Sequence, residues 1–586
     1  MPRWAVYVRP ALNMDVNGMR PRIRCALPHR VRDAGGGPKM LKYADASRAR
    51  TSRSSYPSPS RKCFLAPTFC VAMASATILG LLGALTLAIL LVQARRKPHP
   101  AYPPGPKALP VVGNIFDLTT RELWLRATQW AQKYGDVVYV RIFGQGLLFL
   151  NTYDAALDLL EKKGTIYSDK PQLVMAGDLC GCDNMVAFTR YGDKSRRQRR
   201  LMQKALGTSA IPRYHSLLQI ETQALLKRLL EDPANYDGHI RRYAGSLTLL
   251  VVYGYRVTSN EDPFLMLAEE CVDILSNHIA SGGGIWLVDV FPFLQHLPAW
   301  APGAGFKSKA AKWKAKMQEF VDRPFELVKT RMGDGSATPC FCTTLLEEEL
   351  GDDEQENAQR DFDIRWTANS MYSASLDTTM TVIRHFLLLM QLHPDVASKA
   401  RAEIDSVVGT DRLPTFSDRP SLPYVDAVMS ECLRWGAPVP LGLPHRLMED
   451  DVYRGMYVPR GTLVFANVWN MTRNPEMFPD PESFNPERYM GADPLVSKRD
   501  PRNFIFGFGR RRCPGSHLIE SSLWIVIACV LATLDVHTER DAQGAPIEPV
   551  LVFENAVFRA PNSFPCAIKP RSSEAARLIS ASAAAL

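Results

Sequence analysis

The sequence has no C-x-x-C pair, and no histidines cluster beside its cysteines. Its 12 cysteines, spread over 586 residues, are too sparse for a disulfide framework. Two tight pairs, Cys180/Cys182 and Cys340/Cys342, have a spacing that does not suit zinc. They read as reduced thiols of a cytosolic domain. There is no G-x-G-x-x-G fingerprint and no fused flavin region, so no nicotinamide or flavin site is expected in the chain itself. No repeat period is visible, which argues against solenoids and propellers. Nor does positive charge cover the whole chain. The net charge is +10, but residues 1–62 hold 14 Lys/Arg against 3 Asp, so the remainder is close to neutral. A nucleic-acid partner is therefore not expected.

Charge is missing altogether from residues 63–94. The core of that stretch, residues 70–92, reads CVAMASATILGLLGALTLAILLV. As a helix it would reach about 35 Å, enough for a hydrocarbon layer about 30 Å thick. Arg95, Arg96 and Lys97 follow, and such a basic cluster prefers the cytoplasmic side. A cleaved signal peptide would have a shorter apolar region and would leave the basic flank unexplained. We therefore expect a transmembrane anchor over residues 70–92. Residues 1–69 form a basic leader rich in Arg, Ser and Pro, expected to be disordered, and Met73 is an alternative start that would leave the leader untranslated. Residues 93–106 are a basic, Pro-rich linker ending in YPPGP, which cannot continue a helix and reads as a stiff spacer. Residues 107–571 are expected to form one catalytic domain, and residues 572–586 a low-complexity tail.

Glycine and proline are both absent between Gly351 and Pro394. From Phe362 to His393 the pattern is apolar on most faces, as in a helix buried in a large core. Residues 190–335 also read as mostly helical. Two or three helices are expected between Pro394 and Trp435, then loops and short strands to residue 515. A last apolar helix is expected over residues 517–534. Short β-type runs occupy residues 137–150. The fold class is thus mainly α with small β-sheets.

The segment NFIFGFGRRRCPG, residues 503–515, places Phe506, Gly509, Arg511, Cys513 and Gly515 at fixed offsets. Glycines let backbone approach a flat ligand and reach positive φ. The cysteine sits on a loop that leads into the last helix. Three arginines and the positive end of that helix would both favour thiolate over thiol. A thiolate on haem iron pushes electron density in the sense that favours O–O cleavage. A Gly/Arg run could instead cradle phosphate at a helix start, but the strand before it and the Lys-Ser/Thr pair after it are missing.

This loop resembles the haem-binding signature of the cytochromes P450, with all five positions filled. Supporting motifs follow in the family's order over roughly residues 102–571, and the type is similar to fungal microsomal members labelled O-methylsterigmatocystin oxidoreductase-like. The resemblance implies a single haem-thiolate domain behind the anchor, with haem b bound through Cys513 and Phe506 in its loop. It implies that Thr378 holds dioxygen and its water while Asp377 feeds protons, in the run ASLDTT. An adjacent carboxylate and hydroxyl on a helix can relay protons through water. Ser375 departs from the family, which has Gly or Ala there. Glu431 and Arg434 lie at i and i+3 on one helix face; with Arg488 they would pin the cysteine loop from below. Arg511, His445 and Arg199 would face the two haem propionates. Ser195 stands where the family has Trp, so one propionate donor is expected to be weaker.

The resemblance further implies electrons from NADPH through a separate NADPH–cytochrome P450 reductase, with cytochrome b5 as a second donor. It implies an endoplasmic-reticulum location, single-pass, with the catalytic domain in the cytosol. Residues 171–188, 369–373, 438–443 and 556–564 would line the pocket. They are largely apolar, so a lipophilic substrate is expected, in secondary metabolism or xenobiotic oxidation. Two rival readings are a haem-thiolate isomerase or dehydratase needing no external electrons, and a haem- or ligand-binding protein without turnover. Retention of Asp377 and Thr378 argues against the first.

Overall fold

The computed structural model describes residues 99–584, apart from residues 120, 280–285, 349–351, 492–495 and 554–556. The leader, Met73 and the anchor over residues 70–92 lie outside the described residues. The principal helices are α1 (Leu123–Tyr134), α2 (Asp193–Leu206), α3 (His215–Glu231), α4 (Tyr236–Tyr253), α5 (Pro263–Asp273), α6 (Gly305–Gly333), α7 (Glu354–Leu392), α8 (Pro394–Val407), α9 (Pro423–Gly436), α10 (Ser516–Thr533) and α11 (Ser573–Ala584). The strands are short: β1 (Val137–Ile142), β2 (Gln145–Leu150), β3 (His445–Arg446), β4 (Asp451–Tyr453), β5 (Met456–Val458), β6 (Leu463–Ala466), β7 (Leu534–His537) and β8 (Ala567–Pro570). The fold is mainly α with small sheets.

Helix α7 begins where Asp353 accepts the backbone N–H groups of Gln355 and Glu356, with Glu354 and Glu356 in its first turn. This cap and these charges suit the positive helix end. The helix ends before Pro394, which takes the first position of α8. With no breaker between, α7 runs 39 residues through the core. α10 is long and apolar enough to cross a membrane, but 72% of its apolar window is buried in protein, so it is a core helix.

The four-stranded sheet runs in the order β1-β2-β6-β3. β1 and β2 form an antiparallel hairpin, Val137 facing Leu150. β6 lies parallel to β2, and β3 pairs antiparallel with β6, placing His445 opposite Val464. The sheet therefore carries one of the expected propionate donors.

Two expected boundaries are corrected. The Pro-rich segment before residue 107 does not stand apart from the globule. Tyr102 stacks on Tyr139 at 5.2 Å, Tyr139 donates its N–H to the Pro104 carbonyl at 3.0 Å, and Tyr457 donates to Ala101 at 2.9 Å. Proline carbonyls remain acceptors, so the sheet edge can recruit them although Pro lacks a donor. The tail after residue 571 is helix α11, with Ile579 fully buried and contacts to α3. The docking of the linker leaves no room at Gly105, where a Cβ would sit 2.1 Å from the Tyr139 carbonyl oxygen. Gly105→Ala is expected to cost about 1–3 kcal/mol, read as a lower urea midpoint.

Candidate active site

Gly507 and Gly509, at φ +76° and +51°, turn the chain between Phe506 and Cys513. A Cβ on Gly509 would lie 2.4 Å from the Leu160 carbonyl, so this position needs glycine. The Cys513 N–H donates to the Phe506 carbonyl at 2.8 Å, closing the loop. Phe506 itself is half-buried, while Phe504 and Phe508 anchor the loop in the core under the sheet. Cys513 is solvent-accessible, unlike the other described cysteines, which are buried. Burial of its surroundings nevertheless dominates its ionisation and raises the thiol pKa. The backbone N–H groups of Gly515 and Ser516, at the start of α10, and the charges of Arg199 and Arg512 act in the opposite sense.

The three arginines beside Cys513 face different partners. Arg510 turns outward to the Tyr191 hydroxyl. Arg511 donates to the carbonyls of Ser168 (2.8 Å), Thr189 (2.7 Å) and Val186 (3.4 Å). Of the three, Arg512 is the one whose charge lowers the Cys513 pKa.

Around this loop four basic groups come together, Lys170 and His445 buried and Arg199 and Arg511 half-buried. Arg199, on α2, donates to the Arg512 carbonyl at 2.6 Å. His445 is 7% exposed, and its Nδ1 lies 2.8 Å from the Tyr167 carbonyl. Arg511 comes from the loop. The fourth is Lys170, 5% exposed, donating to the carbonyls of Leu443 and Pro444 at 3.2 and 3.0 Å. Burial, then Arg511 and Arg199, drives Lys170 well below its ordinary pKa. Burial, then Lys170, does the same to His445. Burial, then Arg199, pushes Arg511 down to about 10. Among the described residues no carboxylate makes an ion pair with Lys170, Arg199 or Arg511. The adjacent Asp169 is already committed to Arg190 at 2.6 Å and to the Tyr191 N–H at 2.8 Å. Sequence reading missed Lys170 because a lone lysine in a turn carries no local signal.

Ser195 does not replace the family's Trp as a donor. Its hydroxyl donates to the Gly192 carbonyl at 2.9 Å and accepts the Gly192 N–H at 3.2 Å, capping α2.

On α7 the buried surface is interrupted at one turn. Ala374 is exposed, and Ser373, Ser375, Asp377 and Thr378 are half-buried, while Tyr372, Leu376 and Thr379 are buried. This turn borders an internal cleft. The Thr378 hydroxyl donates to the Ala374 carbonyl at 2.9 Å, a back-bond that bends helices. Asp377 precedes it on the same turn.

Glu431 and Arg434 are fully buried on α9 and pair through two hydrogen bonds, at 2.7 and 2.8 Å. Glu431 also accepts from Arg488 at 3.2 Å, from the Asn485 N–H at 2.9 Å and from the Tyr489 hydroxyl at 3.1 Å. Arg434 also donates to the carbonyls of Thr472 (2.9 Å), Pro481 (2.7 Å) and Ser483 (3.0 Å). One ion pair thus gathers the whole segment from 472 to 489, upstream of the cysteine loop. The expected triad is assembled.

The cytochrome P450 family model matches residues 103–559. The chain belongs to the cytochrome P450 family. It is 42% identical over 491 residues, 83% of this chain and 95% of the relative, to cytochrome P450 monooxygenase claT of Ampulloclitocybe clavipes. It is 39% identical over 502 residues, 85% of this chain and 96% of the relative, to cytochrome P450 monooxygenase 176 of Postia placenta. A third relative, from Armillaria gallica and also a cytochrome P450 monooxygenase, is 36% identical over 481 residues, 81% of this chain and 93% of the relative. The chain is accordingly a cytochrome P450 monooxygenase, and its cofactor is haem with a cysteine thiolate ligand. The donor set fits that cofactor. Four basic groups, two buried and two half-buried, without their own carboxylates suit a dianion, and haem brings two propionates.

The same arithmetic gives Lys170→Met opposite effects in two states of this cytochrome P450. The apoprotein loses a buried, repelled cation and is expected to tolerate more urea. The holoprotein loses a charge-assisted bond of about 1.5–3 kcal/mol. Haem transfer to apomyoglobin is then expected to speed up by about 10–100-fold.

Proposed function

We propose that this cytochrome P450 uses dioxygen, and electrons passed from NADPH by a separate NADPH–cytochrome P450 reductase, to oxidise a lipophilic small molecule. The observation that carries the reading is the exposed Cys513 just before α10, beside the basic cluster of Lys170, Arg199, Arg511 and His445. Cys513 supplies the thiolate, with the N–H groups of Gly515 and Ser516 and the charges of Arg199 and Arg512 facing it. The four basic groups hold the propionates. When bound, haem supplies the redox chemistry that activates dioxygen.

The remaining work belongs to α7. Asp377 takes a proton from cleft water and passes it toward Thr378, whose hydroxyl holds the proton at the reacting oxygen instead of at the Ala374 carbonyl. Glu431, Arg434 and Arg488 keep the proximal loop in place. The apolar segments around the cleft select an apolar substrate, of the kind met in fungal secondary metabolism or xenobiotic oxidation. The uncharged run over residues 70–92 and its basic flank support an endoplasmic-reticulum anchor with the catalytic unit in the cytosol. Cytochrome b5 is a second electron donor by the same resemblance.

The test is expression of the full chain with a reductase in microsomes, fed terpenoids, fatty acids and aromatics. Oxygenated product that needs both NADPH and reductase is expected. Product formed without either would replace this reading by rearrangement or dehydration. Thr378→Ala is expected to keep NADPH consumption but to lower product per NADPH by at least about tenfold, because general acid–base steps contribute that much or more.

A further inference from the structure

α7 of this chain carries Ser375 where the family has Gly or Ala. The Ser375 hydroxyl does not turn into the cleft. It hydrogen-bonds the Thr248 hydroxyl on the neighbouring α4. Each hydroxyl has one proton, so one is spent between the two side chains. The other returns to a helix carbonyl, at Ala244 (3.3 Å from Thr248) or Tyr372 (3.4 Å from Ser375). Thr248 is 7% exposed, so water cannot readily take over the bond. Gly245 on α4 makes room for Leu265 of α5, which a Cβ would meet at 2.3 Å.

One turn of α7 is therefore held from two sides. Thr378 back-bonds to the Ala374 carbonyl, and more weakly to Ser375 at 3.4 Å, on the side of the cleft. Ser375 ties the same turn to α4.

We infer that Ser375 and Thr248 form a positioning pair that fixes the Ala374–Thr378 turn against α4, so that the Thr378 hydroxyl is presented to the cleft. The inference rests on the proposed proton delivery by Asp377 and Thr378. Neither Ser375 nor Thr248 touches the reacting atoms. Thr248→Val keeps the shape of the side chain and removes the bond, letting the turn shift relative to α4. Thr248→Ser keeps the hydroxyl and should hold the turn in place.

The experiment uses purified full-length holoprotein with reductase, and reads oxidised product and hydrogen peroxide per NADPH. Thr248→Val is expected to lower product per NADPH by about threefold or more, with peroxide rising and haem content unchanged. Thr248→Ser is expected to match the wild type. Ser375→Ala should resemble Thr248→Val, and the double variant should be no worse than either, because both remove one bond. Unchanged coupling in Thr248→Val, multiplying effects in the double variant, or a loss proportional to lost haem would overturn the inference. Amide hydrogen exchange over residues 374–378 tests the tie to α4 without turnover. Faster exchange in Thr248→Val but not in Thr248→Ser is expected. If exchange behaves so while the wild type makes no NADPH-dependent product, the pair stands and the functional reading fails; unchanged exchange sinks the pair itself.

Discussion

Cys513→Ser is expected to abolish substrate oxidation while leaving the fold intact. The side chain is accessible and its loop is closed by backbone, through the Cys513 N–H and the Phe506 carbonyl, so serine disturbs little packing. An alkoxide is far harder to form than a thiolate, and serine oxygen is a poor donor to haem iron. Product formation should fall by at least a factor of about 1,000, equivalent to roughly 4 kcal/mol of barrier. Apoprotein stability should move by less than about 0.5 kcal/mol, as for other substitutions that leave packing alone. Turnover with reductase and a urea melt of the apoprotein check both halves. Residual oxidation near the wild-type rate would remove Cys513 from the chemistry.

Arg434→Ala carries the largest expected effect on stability. It leaves the Glu431 carboxylate fully buried with Arg488, the Asn485 N–H and the Tyr489 hydroxyl, and without its closest cation. It also takes the donor from three carbonyls, the buried one of Thr472 and the part-buried ones of Pro481 and Ser483. Breaking one member of a buried pair costs about 3–5 kcal/mol. That is a large part of a typical folding free energy of about 5–15 kcal/mol. We expect poor haem retention and a markedly lower urea midpoint. Arg434→Lys should recover little, because one ammonium cannot make two parallel bonds to Glu431 and also reach three carbonyls. Full haem content with a wild-type midpoint in Arg434→Ala would show that the segment from 472 to 489 holds itself without the pair.

The sequence made the frame legible wherever local rules decide it. The breaker-free stretch before Pro394 is α7, and the apolar run after Gly515 is α10, because caps and proline mark their ends. The alternating run at residues 137–150 is the β1–β2 hairpin. The cysteine pairs are buried and unbridged.

The site was only half legible, for a physical reason. Glu431 and Arg434 share a helix face, so their spacing announces the pair, whereas Arg488 reaches Glu431 from 57 positions away and only the family resemblance placed it. Lys170 meets Arg199, Arg511 and His445 only through tertiary packing. The three arginines beside Cys513 look equivalent in sequence, yet each points to a different partner. Ser195 and Ser375 departed from the family in ways the sequence marks as weaknesses. In the fold both hydroxyls are occupied, by Gly192 and by Thr248. A side chain that fails one partner can serve another, and sequence spacing does not reveal which.

The most direct test reduces purified holoprotein with dithionite and exposes it to carbon monoxide. A sulfur-anion ligand from Cys513 predicts the strongly red-shifted Soret band of thiolate-ligated ferrous haem, and its disappearance in Cys513→Ser. A band at the shorter wavelength of imidazole-ligated haem in the wild type, or a red-shifted band that survives Cys513→Ser, would contradict the account.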